Sequence, residues 1–142
     1  MNEPMSNVPE ALVTITVPFH DVDVMGVVWH GHYARYFEIA RCALLDKIAY
    51  NYREMKESGY SWPVIELKTR YIKPAEFGQD IRVRARLKEY EIRLTIEYLI
   101  TDVASGERLT KGHTVQVAVD MEKRELLLAS PPILLEKLGV LV

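Results

Sequence analysis

Residues 20–33 read His20-Asp21-Val22-Asp23-Val24-Met25-Gly26-Val27-Val28-Trp29-His30-Gly31-His32-Tyr33, which places two carboxylates, three histidines and two glycines in one short stretch. Carboxylates and imidazoles are the groups that attack carbonyls or activate water. The interleaved apolar residues predict a loop pressed against a hydrophobic interior, a setting that can shift pKa values and arm a carboxylate for chemistry. Two plainer readings stand beside this one. Asp21 and Asp23 are good turn formers and helix caps, and His30 could be a loop histidine that satisfies a carbonyl. A metal site is the rival chemistry, with His20, Asp21, Asp23, His30 and His32 as candidate ligands, but no known ligand spacing such as His-Glu-x-x-His occurs and no metal is expected.

Two elements must position this loop. Residues 11–19 alternate Val13, Ile15 and Val17 against Thr14 and Thr16, the period of a half-buried strand, and Pro18 marks its end. From Tyr33 the period lengthens: Tyr33, Phe37, Ala40, Leu44 and Ile48 recur every three or four residues, and Leu45 widens the stripe. This predicts a helix to about Tyr50, with residues 51–57 as a possible extension. A helix starting near Gly31 to Tyr33 points free N–H groups and a partial positive charge back at the loop. Gly26 and Gly31 let backbone approach a ligand closely.

Downstream, residues 62–72 form a candidate strand that ends before Lys73-Pro74-Ala75. Ile81, Val83, Ala85 and Leu87 then alternate with Arg82, Arg84, Arg86 and Lys88, so one face is core and the other is wet or turned to an acidic neighbour. Ile92 to Ile100 repeats the alternation, and residues 109–120 form the next strand, with Val115, Val117 and Val119 expected inward. A short strand at 126–129 and a helix at 133–138, capped by Ser130 and primed by Pro131 and Pro132, complete the chain. One long helix followed by consecutive antiparallel strands predicts an α+β fold, a twisted sheet with its apolar face on one helix.

Composition narrows the class. The chain has 142 residues, enough for one domain with a sizeable core: a loose lead-in over residues 1–10 and a single domain over 11–142. Its 18 Lys and Arg against 20 Asp and Glu give a formal charge of −2, with no long basic run, so nucleic acid is not an expected partner. One cysteine, Cys42, excludes an intramolecular disulfide and suits a reducing compartment. No apolar run is long enough to cross a bilayer, and the first ten residues lack the pattern of a signal peptide; a cytoplasmic location is expected.

The pattern Asp23-x-x-Gly26-Val27-Val28-Trp29-His30-x-x-Tyr33, between a strand and a long helix, resembles the signature of the hot-dog-fold acyl-CoA thioesterases. The resemblance is to the branch of 4-hydroxybenzoyl-CoA thioesterase and the Tol-Pal-associated thioesterases. Tyr71-x-x-Pro74-Ala75 followed by Gly78-x-Asp80 is similar to the family's stretch entering the third strand. The resemblance implies a sheet wrapped around the central helix and hydrolysis of a short, medium or aromatic acyl-CoA thioester, with an acyl carrier protein as another possible thioester donor. It implies Asp23 as nucleophile or general base, and at His30 a backbone N–H that polarises the thioester oxygen. It further implies sites shared between subunits, hence a homodimer or homotetramer. Val24-Met25, where relatives often carry smaller residues, bears on acyl-pocket shape.

Thioester hydrolysis needs a carboxylate, oxyanion donors and exclusion of bulk water, and it calls for no cofactor. Gly26, Trp29 and Tyr33 are the candidate substrate-binding residues, although Trp29 and Tyr33 have the composition of core. The Arg82, Arg84, Arg86 and Lys88 face reads as a solvated or intersubunit surface, with a cradle for nucleotide phosphates as its functional alternative. Cys42 reads as a small buried thiol and His113 as a packing or sheet-surface residue. The other readings of the same scaffold are a dehydratase or hydratase, for which no matching loop is present, and a non-catalytic acyl-carrier or complex-binding module.

Overall fold

The computed structural model describes residues 8–139. The first seven residues of the expected lead-in lie outside the described residues. Its end is already structured: β1 (Glu10–Thr16) begins at Glu10, and the Pro9 carbonyl accepts the Leu87 N–H at 3.0 Å.

The central helix α1 (Tyr33–Lys47) buries Tyr33, Tyr36, Phe37, Ala40, Arg41, Leu44 and Leu45, a broad stripe at helical spacing. It is shorter than the periodicity predicts. Ala49 takes a left-handed φ of 57°, which breaks the helix, and the segment expected to extend it is a separate helix α2 (Tyr52–Glu57). A reciprocal cap starts α2: Asn51 accepts from the Tyr52 N–H at 2.7 Å, and the Glu54 carboxylate accepts from the Asn51 N–H at 2.9 Å.

Five antiparallel strands form the main sheet in the order β1-β4-β5-β6-β3, where β3 is Val64–Tyr71, β4 Asp80–Glu89, β5 Leu94–Asp102 and β6 Arg108–Gln116. α1 packs on β1, β4 and β5, as the sequence predicts for a sheet curled around one helix. A second, three-stranded sheet joins β2 (Tyr60–Ser61), β7 (Val119–Asp120) and β8 (Glu125–Leu126). One expected strand starts late and another is divided. The first, expected over 62–72, begins at Val64, after Pro63, which has no N–H for a ladder. The second stops at Gln116, and its last residues leave to pair with β2. The C-terminal helix α3 (Pro132–Leu138) is capped at Pro131, not by Ser130, whose hydroxyl has no partner among the described residues.

β4 faces the core as its alternation predicts, with Ile81, Val83 and Ala85 fully buried. β6 does not. Gly112 lies against the Phe37 ring of α1, so alternation turns Thr110, Thr114 and Gln116 to the helix with it, all of them buried. Val115 is buried as expected, but on the opposite face of the strand, beside Glu66 and His113. Thr114 and the Gln116 amide nitrogen are paired under the helix, whereas the Thr110 hydroxyl has no partner among the described residues. Tyr98 and Thr114 share a hydrogen bond at 2.7 Å, the guanidinium of buried Arg41 donates to the Tyr98 hydroxyl at 3.4 Å, and Gln116 donates to the Trp62 carbonyl at 2.8 Å.

A Cβ at Gly112 would sit 2.6 Å from both the Phe37 ring and the Lys68 carbonyl oxygen, with backbone on one side and a stacked Phe37–Tyr98 pair on the other. Gly112→Ala is expected to destabilise the fold by about 1–3 kcal/mol, read as a lowered midpoint in urea unfolding.

Candidate functional site

The loop is fastened before it reaches its chemistry. After β1, the Val17 N–H donates to the Gln79 carbonyl and the Gly78 N–H to the Val17 carbonyl, both at 2.9 Å. A single 3-10 turn, Phe19–Asp21, then drives Asp21 into the interior, where it is 1% exposed. Its carboxylate accepts from Arg35 Nη2 at 2.5 Å and from the Tyr36 hydroxyl at 2.6 Å, both on the first turn of α1. Its carbonyl accepts the Trp29 N–H at 3.0 Å. Burial pushes the Asp21 carboxyl up, but the hydrogen bonds from Arg35 and Tyr36 and the guanidinium charge outweigh it and hold the group below its ordinary 3.8. Burial and the neighbouring Asp21 push the Tyr36 phenol up.

Residues 22–28 fold back as a tight hairpin. The Asp23 N–H donates to the Val27 carbonyl and the Gly26 N–H to the Asp23 carbonyl, both at 2.9 Å, and Val22 bridges Val28. Gly26 has a φ of 78°, a conformation that explains glycine at this turn. Asp23 Oδ1 accepts from the Met25 N–H at 2.9 Å, so the residue is a turn former, while Oδ2 has no partner among the described residues. The base of the hairpin rests on the segment after β3: the Val28 N–H donates to the Ala75 carbonyl at 2.8 Å and the Phe77 N–H to the Gly26 carbonyl at 3.0 Å. Its tip stands clear of the chain. Val24 is 101% exposed and Met25 79%, which corrects the expectation of a loop packed inward along its whole length. Of the loop's apolar residues Val28 is buried, Val22 is half-buried against the core and Val27 half-buried at the cavity, while Val24, Met25 and Trp29 are exposed.

A 3-10 turn, His30–His32, leads into α1. The His32 N–H donates to the Trp29 carbonyl at 2.9 Å, whereas the N–H groups of His30 and Gly31 have no acceptor among the described residues. The Trp29 indole folds back over this turn; a Cβ at Gly31 would lie 2.1 Å from the ring, so glycine is what lets the indole settle there. The indole centroid is 4.9 Å from the His30 ring and 5.4 Å from that of His32.

At the junction of hairpin, helix start and β3 end lies a cavity of about 280 Å³, lined by Asp23, Val27, His30, Tyr33, Tyr71 and Lys73, among others. Of the residues the sequence singles out, Asp23, His30 and Tyr33 meet here; Gly26 and Trp29 do not line it. The Tyr33 hydroxyl accepts from the Ala75 N–H at 3.2 Å, and the Tyr71 hydroxyl donates to the His30 carbonyl at 3.1 Å. The lysine at the wall pairs with Glu107 at 3.0 Å. Sequence reasoning missed Tyr71, Lys73, Arg35 and Tyr36 as part of this assembly. Tyr71-x-x-Pro74-Ala75 was the available signal for the first two.

The remaining candidates lie elsewhere. The Arg82, Arg84 and Arg86 face turns away from α1, and none of the three lines the cavity. His113 pairs with Glu66 at 2.5 Å on the outer sheet face, and Cys42 is half-buried on α1. Among the described residues no three His, Cys, Asp or Glu side chains converge as a metal site would require.

Comparison with known proteins places this architecture. A family model described as "Thioesterase-like superfamily" matches residues 17–138. A protein from Synechocystis is 30% identical over 127 residues, covering 89% of this chain and 76% of its own. Among solved structures, the hypothetical protein TT1821 from Thermus thermophilus superposes with a TM-score of 0.79 at 32% identity, covering 93% of this chain and 99% of its own. The DHNA-CoA thioesterase from Staphylococcus aureus superposes with a TM-score of 0.75 at 27% identity, covering 83% and 79% of the two chains.

The buried Asp21 carboxylate has a pH consequence. Its folded pKa lies below the unfolded value, so its contribution is complete above about pH 4 and is lost as pH falls through the folded value. Asp21→Asn should lower the unfolding midpoint at pH 7 and flatten the loss of stability on acidification. Asp21→Ala, which strands the fully buried Tyr36 hydroxyl, should cost about 2–4 kcal/mol at pH 7. Denaturant titrations from pH 3 to 7 test both.

Proposed function

The chain belongs to the thioesterase-like superfamily, and from that membership we propose that it hydrolyses acyl-CoA thioesters to a free acid and CoA at the cavity between the hairpin and the start of α1. The observation that carries the reading is that Asp23 and His30 line one cavity at the N-terminal end of the central helix. A carboxylate with one oxygen engaged by its own turn and the other free is oriented for attack on the thioester carbonyl or on a water molecule beside it. Asp23 takes that role. The unpaired N–H groups of His30 and Gly31 supply oxyanion donors, and one such donor is typically worth about 2.7–4 kcal/mol of barrier. Tyr33 closes the cavity floor.

The DHNA-CoA thioesterase similarity supports an aromatic acyl-CoA. Trp29 and the exposed Val24 and Met25 are proposed to meet the remainder of the substrate or a second subunit. Lys73 is the basic residue placed to face the ligand.

The site is proposed to be completed by a second copy of the chain. β3 is an edge strand whose Val64, Ile65 and Leu67 are exposed, and single chains seldom leave a long apolar edge open. Its far end carries Tyr71 into the cavity wall, so pairing through β3 would bring the partner beside the reacting groups.

Thiol release from a panel of acyl-CoAs, acetyl through palmitoyl together with benzoyl types, tests the activity. Wild type should hydrolyse at least one short or aromatic member, and folded Asp23→Asn should lose about 10²–10⁴-fold in kcat. Absence of thiol release across the panel, including acyl carrier protein thioesters, would reject the reading. Sedimentation should find a dimer or tetramer, and Ile65→Lys should shift it toward monomer with a parallel loss of activity.

A further inference from the structure

We infer that the outer face of the main sheet docks on an anionic lipid surface through basic side chains that strand register gathers there. The inference goes beyond the hydrolase reading and does not depend on it. Two rows of side chains cross the five strands on this face. One runs Leu12, Arg84, Leu99, Lys111 and Arg70, the next Glu10, Arg86, Glu97, His113 and Lys68, and Arg82 stands two residues along β4 from Arg84. The six Lys and Arg of this array are a third of the chain's 18, and none of them enters an ion pair among the described residues. Two carboxylates of the same face are already engaged, Glu97 by Lys88 at 3.3 Å and Glu66 by His113 at 2.5 Å.

The array is costly without an anionic partner. Lys111 and Arg70 stand directly opposite each other on strands about 4.8 Å apart, and like charges so placed are destabilising. A surface kept only for solubility intersperses the two signs. A chain of net charge −2 gains nothing from an anionic surface unless its cations lie on one side, as these do. A second copy docked face to face would set the cations against their own duplicates. Single-stranded nucleic acid stacks its bases on aromatic rings, whereas the positions between these cations are Leu12, Leu99, Thr14 and Thr101. A lipid surface asks for cations spread in two dimensions and an apolar side chain to enter the headgroup layer, and Leu12 is 55% exposed among them. Successive side chains of β3 point to opposite faces, so Arg70 faces out while Tyr71 lines the cavity, and docking leaves the cavity uncovered. Antiparallel pairing of two copies through β3 would keep both basic faces on one side and double the array.

Sedimentation of the full chain with vesicles tests this, using phosphatidylcholine alone and phosphatidylcholine with about 30 mol% phosphatidylserine. In dilute salt the protein should partition onto the anionic vesicles at least about tenfold more than onto the neutral ones, and about 0.5 M NaCl should release it. Arg70→Gln combined with Lys111→Gln should weaken the partition about thirtyfold. Lys56→Gln combined with Lys137→Gln removes the same charge from α2 and α3 and should change it by less than about threefold. Lys111→Glu, which turns the opposed cations into an ion pair with Arg70, should lose vesicle binding without lowering the urea midpoint, so that the loss is not one of folding. Equal partition onto neutral and anionic vesicles, or an equal loss in the two double variants, would overturn the inference. Protein that ignores anionic vesicles yet is retained by polyglutamate in the same salt would assign the face to an acidic protein and overturn it too.

Discussion

A buried carboxylate survives only if its charge is paired and its hydrogen bonds are supplied, and Asp21 obtains both from Arg35 and Tyr36. This clamp ties the end of the 3-10 turn after β1 to the first turn of α1. Everything between the two, hairpin and helix start alike, is a closed excursion of fixed length. Asp23 is two residues beyond one end of the clamp and His30 five before the other, so neither can drift without straining it. The geometry of the proposed site therefore depends on a residue outside the cavity.

The second constraint comes from the far edge of the sheet. The stretch after β3 bonds the hairpin through the Ala75 carbonyl and the Phe77 N–H, holds the end of β1 through the Gln79 carbonyl, and β3 offers Tyr71 to the helix start. Loop and helix N-terminus therefore rest on a strand end that the main sheet holds in register. Bound this way, Asp23 and His30 line one cavity in advance of substrate, and preorganisation of that kind is what makes dipoles effective in stabilising a developing oxyanion.

Asp23, His30 and Tyr33 were legible from the sequence because they lie within eleven residues, where motif and helical period suffice. Tyr71 and Lys73 enter through the pairing of β3 with β6, a register that local pattern does not encode. Tyr36 lies on the buried stripe of α1, and what the helical period does not encode is the bond from its hydroxyl to Asp21. β6 shows the same limit: hydrophobic alternation assumes an apolar core, and here Thr110, Thr114 and Gln116 occupy the core face beneath a buried arginine. The outward tip with Val24 and Met25 escaped for a different reason, since a sequence does not distinguish an apolar residue meant for its own core from one left at the surface.

The most direct test of the account is a crystal structure with a ketone analogue of an acyl-CoA, in which a methylene replaces the thioester sulfur. The account predicts the ketone oxygen about 2.7–3.1 Å from the N–H of His30 or Gly31, with the Asp23 carboxylate against the carbonyl carbon or a water beside it. A ketone bound away from the helix start, with Asp23 out of reach, would contradict it.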